Sequence, residues 1–432
     1  MDVRLDSARW APILEGGLCR KAYDALFAID NDLPPPGSPS SDTSLANGEP
    51  GFAVFQAYLA RSGLLPPDTA HRHRERARAY LQCAAEKLSG TTSALDLYSG
   101  FTGLAWAANH LQSMGLLDDC DELCDVADEV VLDGLNDHHD ELLCELITGL
   151  SGVGLYGLSR WPRPAGRKIV RHVVHALEDS AVTHQGCRTW FNAPEKLSAY
   201  GRHSHPTGCF NLGLSHGVPG ALVFLAGAAA HHVPAARKLL TEGREWLVRQ
   251  QRCYPNGSRL GYSFVHDPDE ELYGSRVSWC YGDLGVAAAL MVLARRAQRA
   301  DWEPVALDLA RGVAQRLHED ADVNDAALCH GALGNAHLFG RLYAATGESV
   351  LRGAALRWIR AGLALRKEGT GLAGFSAWMP RTPDEEPREE WIPSAGMLCG
   401  ICGIGLALLG FVSPVEPAWD EMLMVNIPLE GA

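Results

Sequence analysis

Seven times along the chain a Gly-x-x-Gly tetrad opens a mostly apolar stretch: GFAVFQAYLA, GLAWAANHL, GVGLYGL, GALVFLAG, GVAAALMVLA, GNAHLFGRLY and GIGLALLGFV. These stretches are too uniformly apolar for a surface helix and predict helices buried on all sides. Between them lie segments of a different kind. In 302–317, Trp302, Val305, Ala306, Leu309, Val313 and Leu317 recur at helical spacing with charge elsewhere, as in a helix lying on a core. Segments near 69–89, 116–135, 166–180, 234–250 and 348–366 read the same way. Buried and amphipathic helices therefore alternate.

The tetrads are Gly48–Gly51, Gly100–Gly103, Gly149–Gly152, Gly217–Gly220, Gly282–Gly285, Gly331–Gly334 and Gly400–Gly403, with starts 52, 49, 68, 65, 49 and 69 residues apart. One tetrad would mean nothing in a chain with 45 Gly. Seven at a near-regular period mark a repeat architecture. The expected fold is all-α: a double-layered α/α toroid of seven repeats and about fourteen helices, with the buried set as inner ring. The whole chain, 1–432, reads as one such domain. Two stretches interrupt the period. Residues 31–47 form a Pro/Ser-rich loop. Residues 181–212 mix aromatics, Gly, His and Pro and suggest a small non-helical insert. A third, 380–393, is expected to be an acidic, solvated surface loop.

Composition narrows the function. The 432 residues are 47% hydrophobic and carry a net charge of −14 with no Lys/Arg run, which speaks against nucleic-acid binding. The N-terminus lacks a basic start followed by an apolar stretch, and the apolar runs are too short or too interrupted to span a bilayer. A soluble, cytoplasmic protein is expected. The excess of Arg over Lys and the abundant Ala hint at a bacterial source. In such a chain the 12 Cys are mostly small buried hydrophobes, with metal or catalytic roles reserved for those in special settings.

If the tetrads ring one cavity, the residue before each projects toward it: Asn47, Ser99, Thr148, His216, Tyr281, His330 and Cys399. Helix N-termini would aim free N–H groups at the same mouth and favour anions. Cys280, beside Tyr281, and Cys329, beside His330, complete a set of two thiols and an imidazole. That set suits zinc and leaves a fourth position open. Taken alone, the Cys-His pair fits equally a buried thiol and a core histidine; the repeat is what brings the three residues together. His216 has the chemistry of a general acid or base, or of a helix-end hydrogen bond. Arg276 could steady an oxyanion or form a surface ion pair. Cys399-x-x-Cys402 and Cys120-x-x-x-Cys124 have the look of metal or redox pairs, but the second lies on an amphipathic helix and reads as structural, while Cys399 fits a structural thiol or, by its tetrad position, one near the cavity. No Gly-Lys-Ser/Thr phosphate loop or His-Glu-x-x-His zinc motif is present.

NLGLSHGVPG, RVSWCYGDLG and LCHGALG, with Trp-Cys-Tyr-Gly followed some fifty residues later by Cys-His-Gly, resemble the lanthionine synthetase C-like family, the lantibiotic cyclases. The resemblance runs from SLANGEPG to CGICGIGLALL. It implies a toroid with one zinc held by Cys280, Cys329 and His330, and functional roles for His216, Arg276 and Tyr281. It also implies addition of peptide cysteine thiols to dehydroalanine or dehydrobutyrine, giving thioether rings. A dehydrated precursor peptide would be the substrate, with a dehydratase and a peptide transporter as partners in a membrane-bound biosynthetic complex. Where the family usually carries Asp in a stretch like Asp-x-Ile-x-Gly-Leu-Ser-Gly, this chain has Glu145-Leu-Ile-Thr-Gly149, one carbon longer; Glu145 would orient His216 or Arg276. Two other readings stay open: zinc-dependent addition of glutathione or another external thiol, and a non-catalytic peptide-binding scaffold. Glycosidase chemistry would want paired carboxylates in the mouth, and none are evident.

Overall fold

The computed structural model describes residues 10–89, 93–264, 274–316, 318–380 and 389–429. The first nine residues of the N-terminal stretch, Leu317 of the 302–317 helix and residues 381–388 of the acidic stretch lie outside these. Numbered along the chain, the helices are α1 (Gly16–Asp32), α2 (Glu49–Arg61), α3 (Pro67–Leu88), α4 (Phe101–Ser113), α5 (Asp121–His138), α6 (Leu150–Ser159), α7 (Pro164–Ser180), α8 (Ala199–Ser204), α9 (Val218–Ala230), α10 (Ala236–Arg249), α11 (Asp283–Arg296), α12 (Glu303–Gln315), α13 (Ala332–Thr346), α14 (Ser349–Ala364) and α15 (Ile401–Val412). Fourteen of them exceed nine residues.

The seven tetrad helices close a ring. Helix α2 packs on α4, α4 on α6, α6 on α9, α9 on α11, α11 on α13, α13 on α15, and α15 back on α2. The first six are each followed by an amphipathic helix packed against them from outside, from α2 with α3 to α13 with α14. The fold is an α/α toroid. Every residue of α15 from Ile401 to Val412 is buried, as expected of an inner-ring helix. Outer helix α7 buries only one face, through Ile169, Val170, Val173, Val174 and Leu177. Helix α15 has no amphipathic helix after it. Its outer partner is α1, from the other end of the chain. Ile13 N–H and Leu14 N–H donate to Phe411 O, and Trp10 Nε1 donates to Gly410 O at 2.8 Å, so the N-terminal segment fastens the last repeat.

The glycines are set by close approach. The first Gly of each tetrad is the N-cap of its inner helix. A Cβ on the fourth Gly would meet the carbonyl oxygen six residues earlier, for example Leu97 O at 2.1 Å from Gly103, Trp279 O at 2.2 Å from Gly285 and Leu328 O at 1.8 Å from Gly334. Gly282 also has φ +100°, a conformation that costs other residues dearly. The loops before the tetrads are laced together around one rim. Ala46 N–H donates to Tyr98 O, Leu146 to Ser215 O, Ser215 to Cys280 O, Trp279 to Cys329 O, Cys329 to Leu398 O and Met397 to Ala46 O.

Below this rim, the C-terminal tail occupies the centre of the ring. The 3-10 turn Ala418–Leu423 and its flanks are reached from repeats on different sides. Tyr98 Oη donates to Met422 O at 2.6 Å, Trp279 Nε1 to Leu423 O at 2.9 Å and Arg296 to Asn426 at 2.6 Å. Asp420 is fully buried and takes hydrogen bonds from Arg341 and His337 of α13. Trp419 stacks on His337 with ring centres 4.8 Å apart.

Among the described residues, the strands form three two-stranded antiparallel pairs. Within 181–212 lie β1 (Val182–His184) and β2 (Cys187–Thr189), the short α8, and β3 (Phe210–Asn211), which pairs with β4 (Ser263–Phe264). The stretch 380–393 corrects a sequence expectation. Its two ends belong to a β-hairpin, β5 (Ala377–Pro380) paired with β6 (Glu389–Ile392), rather than to a solvated loop. The acidic composition masked Trp391 and Ile392, an aromatic and a β-branched residue of the kind that strands favour.

Candidate functional site

At the rim, the loops before α11 and α13 lie side by side, because Trp279 N–H and Cys280 N–H both reach Cys329 O. One ligand atom each from Cys280, Cys329 and His330 lies within 4.8 Å of the other two. Cys280 is 8% exposed and the other two are part-buried. His330 Nε2 is 3.3 Å from Trp378 O and 3.6 Å from Asp325 Oδ2, which leaves Nδ1 as the ring nitrogen for the thiol side. A metal-binding histidine is ordinarily steadied through its other nitrogen in this way. A hydrogen bond from Cys329, helped by His330 and Ser278 against the effect of burial, holds the Cys280 thiol well below its usual range. Cys329, between Cys280 and Cys399, is pushed well above it. Burial opposes protonation of His330, but the Cys280 bond and the negative charge of Cys399 and Asp325 outweigh it and raise its pKa to about 9. The three groups thus share protons, one thiol acidic and the imidazole basic, a donor set that a divalent cation can complete by displacing those protons.

Glu145 and His216 form the second part. His216 Nδ1 is 2.9 Å from Glu145 Oε2. Glu145 is 1% exposed, while the His216 side chain keeps 46% of its surface accessible. Many atoms surround His216, yet it opens into the mouth of the ring, so water reaches it. Burial lowers its proton affinity, but the Glu145 bond and charge, with Cys280 adding to them, leave it raised. Glu145 also caps its own loop: Ile147 N–H donates to Oε2 at 3.0 Å, and Thr148 N–H and Oγ1 donate to Oε1 at 2.6 and 3.0 Å.

Tyr281 stands 6.1 Å from His216 between ring centres and accepts a hydrogen bond from Asn211 Nδ2 at 3.1 Å. Burial pushes its phenol up, so it stays protonated. Arg276 lies to one side. Its guanidinium donates to Tyr262 Oη at 3.3 Å, pairs with Asp322 at 3.3 Å and sits over the Trp378 ring at 5.8 Å. The sequence left open whether Glu145 orients His216 or Arg276. The carboxylate is on His216, and Asp322 serves Arg276.

The chain therefore gathers all seven sequence-selected residues at one rim: a metal-type triad, a carboxylate–histidine pair, a protonated tyrosine and a flanking arginine. Sequence reasoning missed three contributors, Asp325, Trp378 and Tyr262, and left a fourth, Cys399, between two roles. Asp325 gives Oδ1 to Ala327 N–H at 3.0 Å and Oδ2 to Trp378 N–H at 2.9 Å. Trp378 and Tyr262 were unmarked by any motif. Cys399 has its thiol in hydrogen-bonding contact with Cys329; its place before a tetrad was the available signal. Gly213-Leu-Ser215-His-Gly217 also has the Gly-x-Ser-x-Gly spacing of a hydrolase nucleophile elbow, which corrects the expectation from sequence that no such motif is present. Ser215 is 1% exposed and donates to Cys280 O at 3.3 Å, so it presents no nucleophile.

The family model for the lanthionine synthetase C-like protein matches residues 39–424. No curated protein sequence matches the chain significantly. Among solved structures, nisin cyclase superposes with a TM-score of 0.74 at 17% identity, over 95% of this chain and 98% of that chain. Among the described residues, no helix is long and apolar enough to cross a membrane.

Proposed function

The chain belongs to the lanthionine synthetase C-like family, and from that premise we propose that it is a zinc-dependent lanthionine cyclase acting on a dehydrated, cysteine-containing peptide. The observation that carries this reading is the triad Cys280, Cys329 and His330 opening toward the same mouth as the Glu145–His216 pair. Two thiolates and an imidazole are a zinc donor set with room for a fourth ligand. Bound there, zinc would keep a substrate thiol, of free pKa about 8.5, in its nucleophilic thiolate form near neutral pH.

The chain's own residues account for the protons. His216, held through Nδ1 by Glu145, takes the proton of the incoming thiol on Nε2. Sulfur then bonds to the β-carbon of dehydroalanine or dehydrobutyrine, and the π electrons move toward the α-carbon and its carbonyl. His216, with its raised proton affinity, returns the proton to the α-carbon. The peptide keeps its mass and loses one thiol and one double bond. Tyr281, protonated and within a ring's width of His216, can donate to the enolate oxygen. Arg276 can do the same from the Trp378 side.

The test is to incubate a dehydrated, cysteine-containing peptide with the protein, with and without chelator, and count alkylatable thiols by mass spectrometry. Chelator-sensitive loss of thiols at unchanged peptide mass is expected. Intact thiols in a peptide that the protein binds, with zinc present, would refute the reading. A mass gain equal to glutathione, when glutathione is supplied, would replace the substrate class with an external thiol.

A further inference from the structure

The hairpin β5–β6 stands against the metal-type triad. Trp378 is fixed there through both backbone groups: its N–H donates to Asp325 Oδ2 at 2.9 Å, and its carbonyl lies 3.3 Å from His330 Nε2. Its ring meets His330 edge-on, with centres 6.4 Å apart at 78°, and carries the Arg276 guanidinium at 5.8 Å. The Trp378 side chain therefore faces the site.

In the hairpin, Trp378 is directly opposite Trp391, within the register Ala377↔Ile392 to Pro380↔Glu389. Directly opposed residues of an antiparallel pair project from the same face. Trp391 thus extends the Trp378 face outward from the triad. It is 54% exposed, whereas its strand partner is part-buried. A large aromatic left half in water, beside a second indole already engaged with site residues, is a surface shaped to cover something apolar.

We propose that Trp378 and Trp391 form an aromatic wall that binds an apolar side chain of the peptide substrate, next to the cysteine that reacts. The proposal rests on the cyclase reading for the identity of the occupant. The wall runs from His330 outward, so a peptide whose cysteine sulfur reaches the triad lays its neighbouring residue across the indoles. Arg276, stacked on Trp378 and paired with Asp322, stiffens the inner end. Trp391 discriminates by adding or withholding contact at the outer end. The specificity that follows is for apolar over small polar residues beside the reacting cysteine.

The experiment uses Trp391→Ala and Trp391→Phe in the zinc-loaded full chain, with two dehydrated single-ring peptides. One carries Leu beside the reacting cysteine and the other carries Ser. Trp391→Ala should raise KM for the Leu peptide about fivefold to tenfold, in keeping with one aromatic contact, and leave kcat and the Ser peptide unchanged. Trp391→Phe should restore most of the loss. Intrinsic tryptophan fluorescence, read on the same peptides without turnover, should shift on binding in the wild type and not in Trp391→Ala. Equal KM values for the Leu peptide in wild type and Trp391→Ala would overturn the wall while leaving the cyclase reading standing. Peptide binding that depends on Trp391, but without ring formation, would uphold the wall and overturn the cyclase reading.

Discussion

Replacing Glu145 by Gln should lower the proton affinity of His216 while keeping the Thr148 bonds of the loop that carries the carboxylate. Oε1 receives two bonds from Thr148, and an amide oxygen can accept both. Oε2 accepts Ile147 N–H at 3.0 Å and meets His216 Nδ1 at 2.9 Å, and there the negative charge and the Ile147 bond are lost. A hydrogen bond to a charged group is worth about 1.5–3 kcal/mol. The His216 side chain is 46% exposed, so solvent screening places the pair at the lower end of that range. Without that bond and charge, burial is left to act on the ring, and the His216 pKa should fall. The sign follows from the raised affinity of the native state. The pair stabilises the fold fully below the unfolded histidine value of about 6.5, and that contribution fades as pH rises through the elevated native value. Glu145→Gln should flatten this dependence. Ring formation near neutral pH should drop by about tenfold to a hundredfold, with the alkaline limb of its pH profile moved to lower pH. NMR titration of the His216 ring, beside the pH profile of thiol loss, measures both. Glu145→Asp, which shortens the arm, should keep the charge but give up either the Thr148 bonds or the His216 bond. A His216 titration unchanged in Glu145→Gln would refute the electrostatic argument.

Cys280→Ala should lose bound zinc and ring formation together, whereas His216→Ala should keep about one zinc per chain and slow turnover by about 10²–10⁴-fold; metal analysis on the folded variants separates the two effects. Gly334→Ala should destabilise by about 3 kcal/mol, because its Cβ would fall 1.8 Å from Leu328 O. Gly312→Ala, on α12 with nothing within 4 Å of the new Cβ, should gain up to about 1 kcal/mol. Denaturant unfolding of both variants checks the contrast, and equal stabilities would remove close packing as the reason for the tetrads.

The ring and its helices were legible because their signals are local and repeated. The outer helix expected at 234–250 is α10 at Ala236–Arg249, and that at 348–366 is α14 at Ser349–Ala364. Both rest on apolar spacing along one segment. What joins distant segments left no such trace. The pairing of α1 with α15, the tail inside the ring and the Trp378–Asp325 bond each couple residues far apart in sequence, and no periodicity encodes them. The triad was partly legible: the repeat placed Cys280 beside Cys329 and put Cys399 in the same position before a tetrad, but nothing in the spacing showed that the Cys399 thiol sits against Cys329. The hairpin was obscured because charge dominated its composition and hid the single Trp391.

The loop acids show how a repeated frame comes to hold a single site. Asp96 spends itself on its own loop, taking Tyr98 N–H, Ser99 N–H, Gly100 N–H and Ser99 Oγ. Glu145 does the same with Oε1, but its Oε2 also reaches His216 in the next repeat. Asp325 divides likewise, with Oδ1 on Ala327 and Oδ2 on Trp378 beside His330. The residue before the tetrad changes in step. Ser99 and Thr148 turn back to their own acid, while His216 and His330 face the mouth. A carboxylate that serves the turn in several of the repeats thus becomes, at Glu145 and Asp325, also the support of a histidine. The desolvation of that carboxylate is already offset by backbone N–H groups, so adding a histidine requires no new buried charge. On this account the Glu145–His216 pair and the Asp325–His330 contact are elaborations of one structural device, and the chemistry sits where the repeats diverge while the glycines that close the ring stay the same.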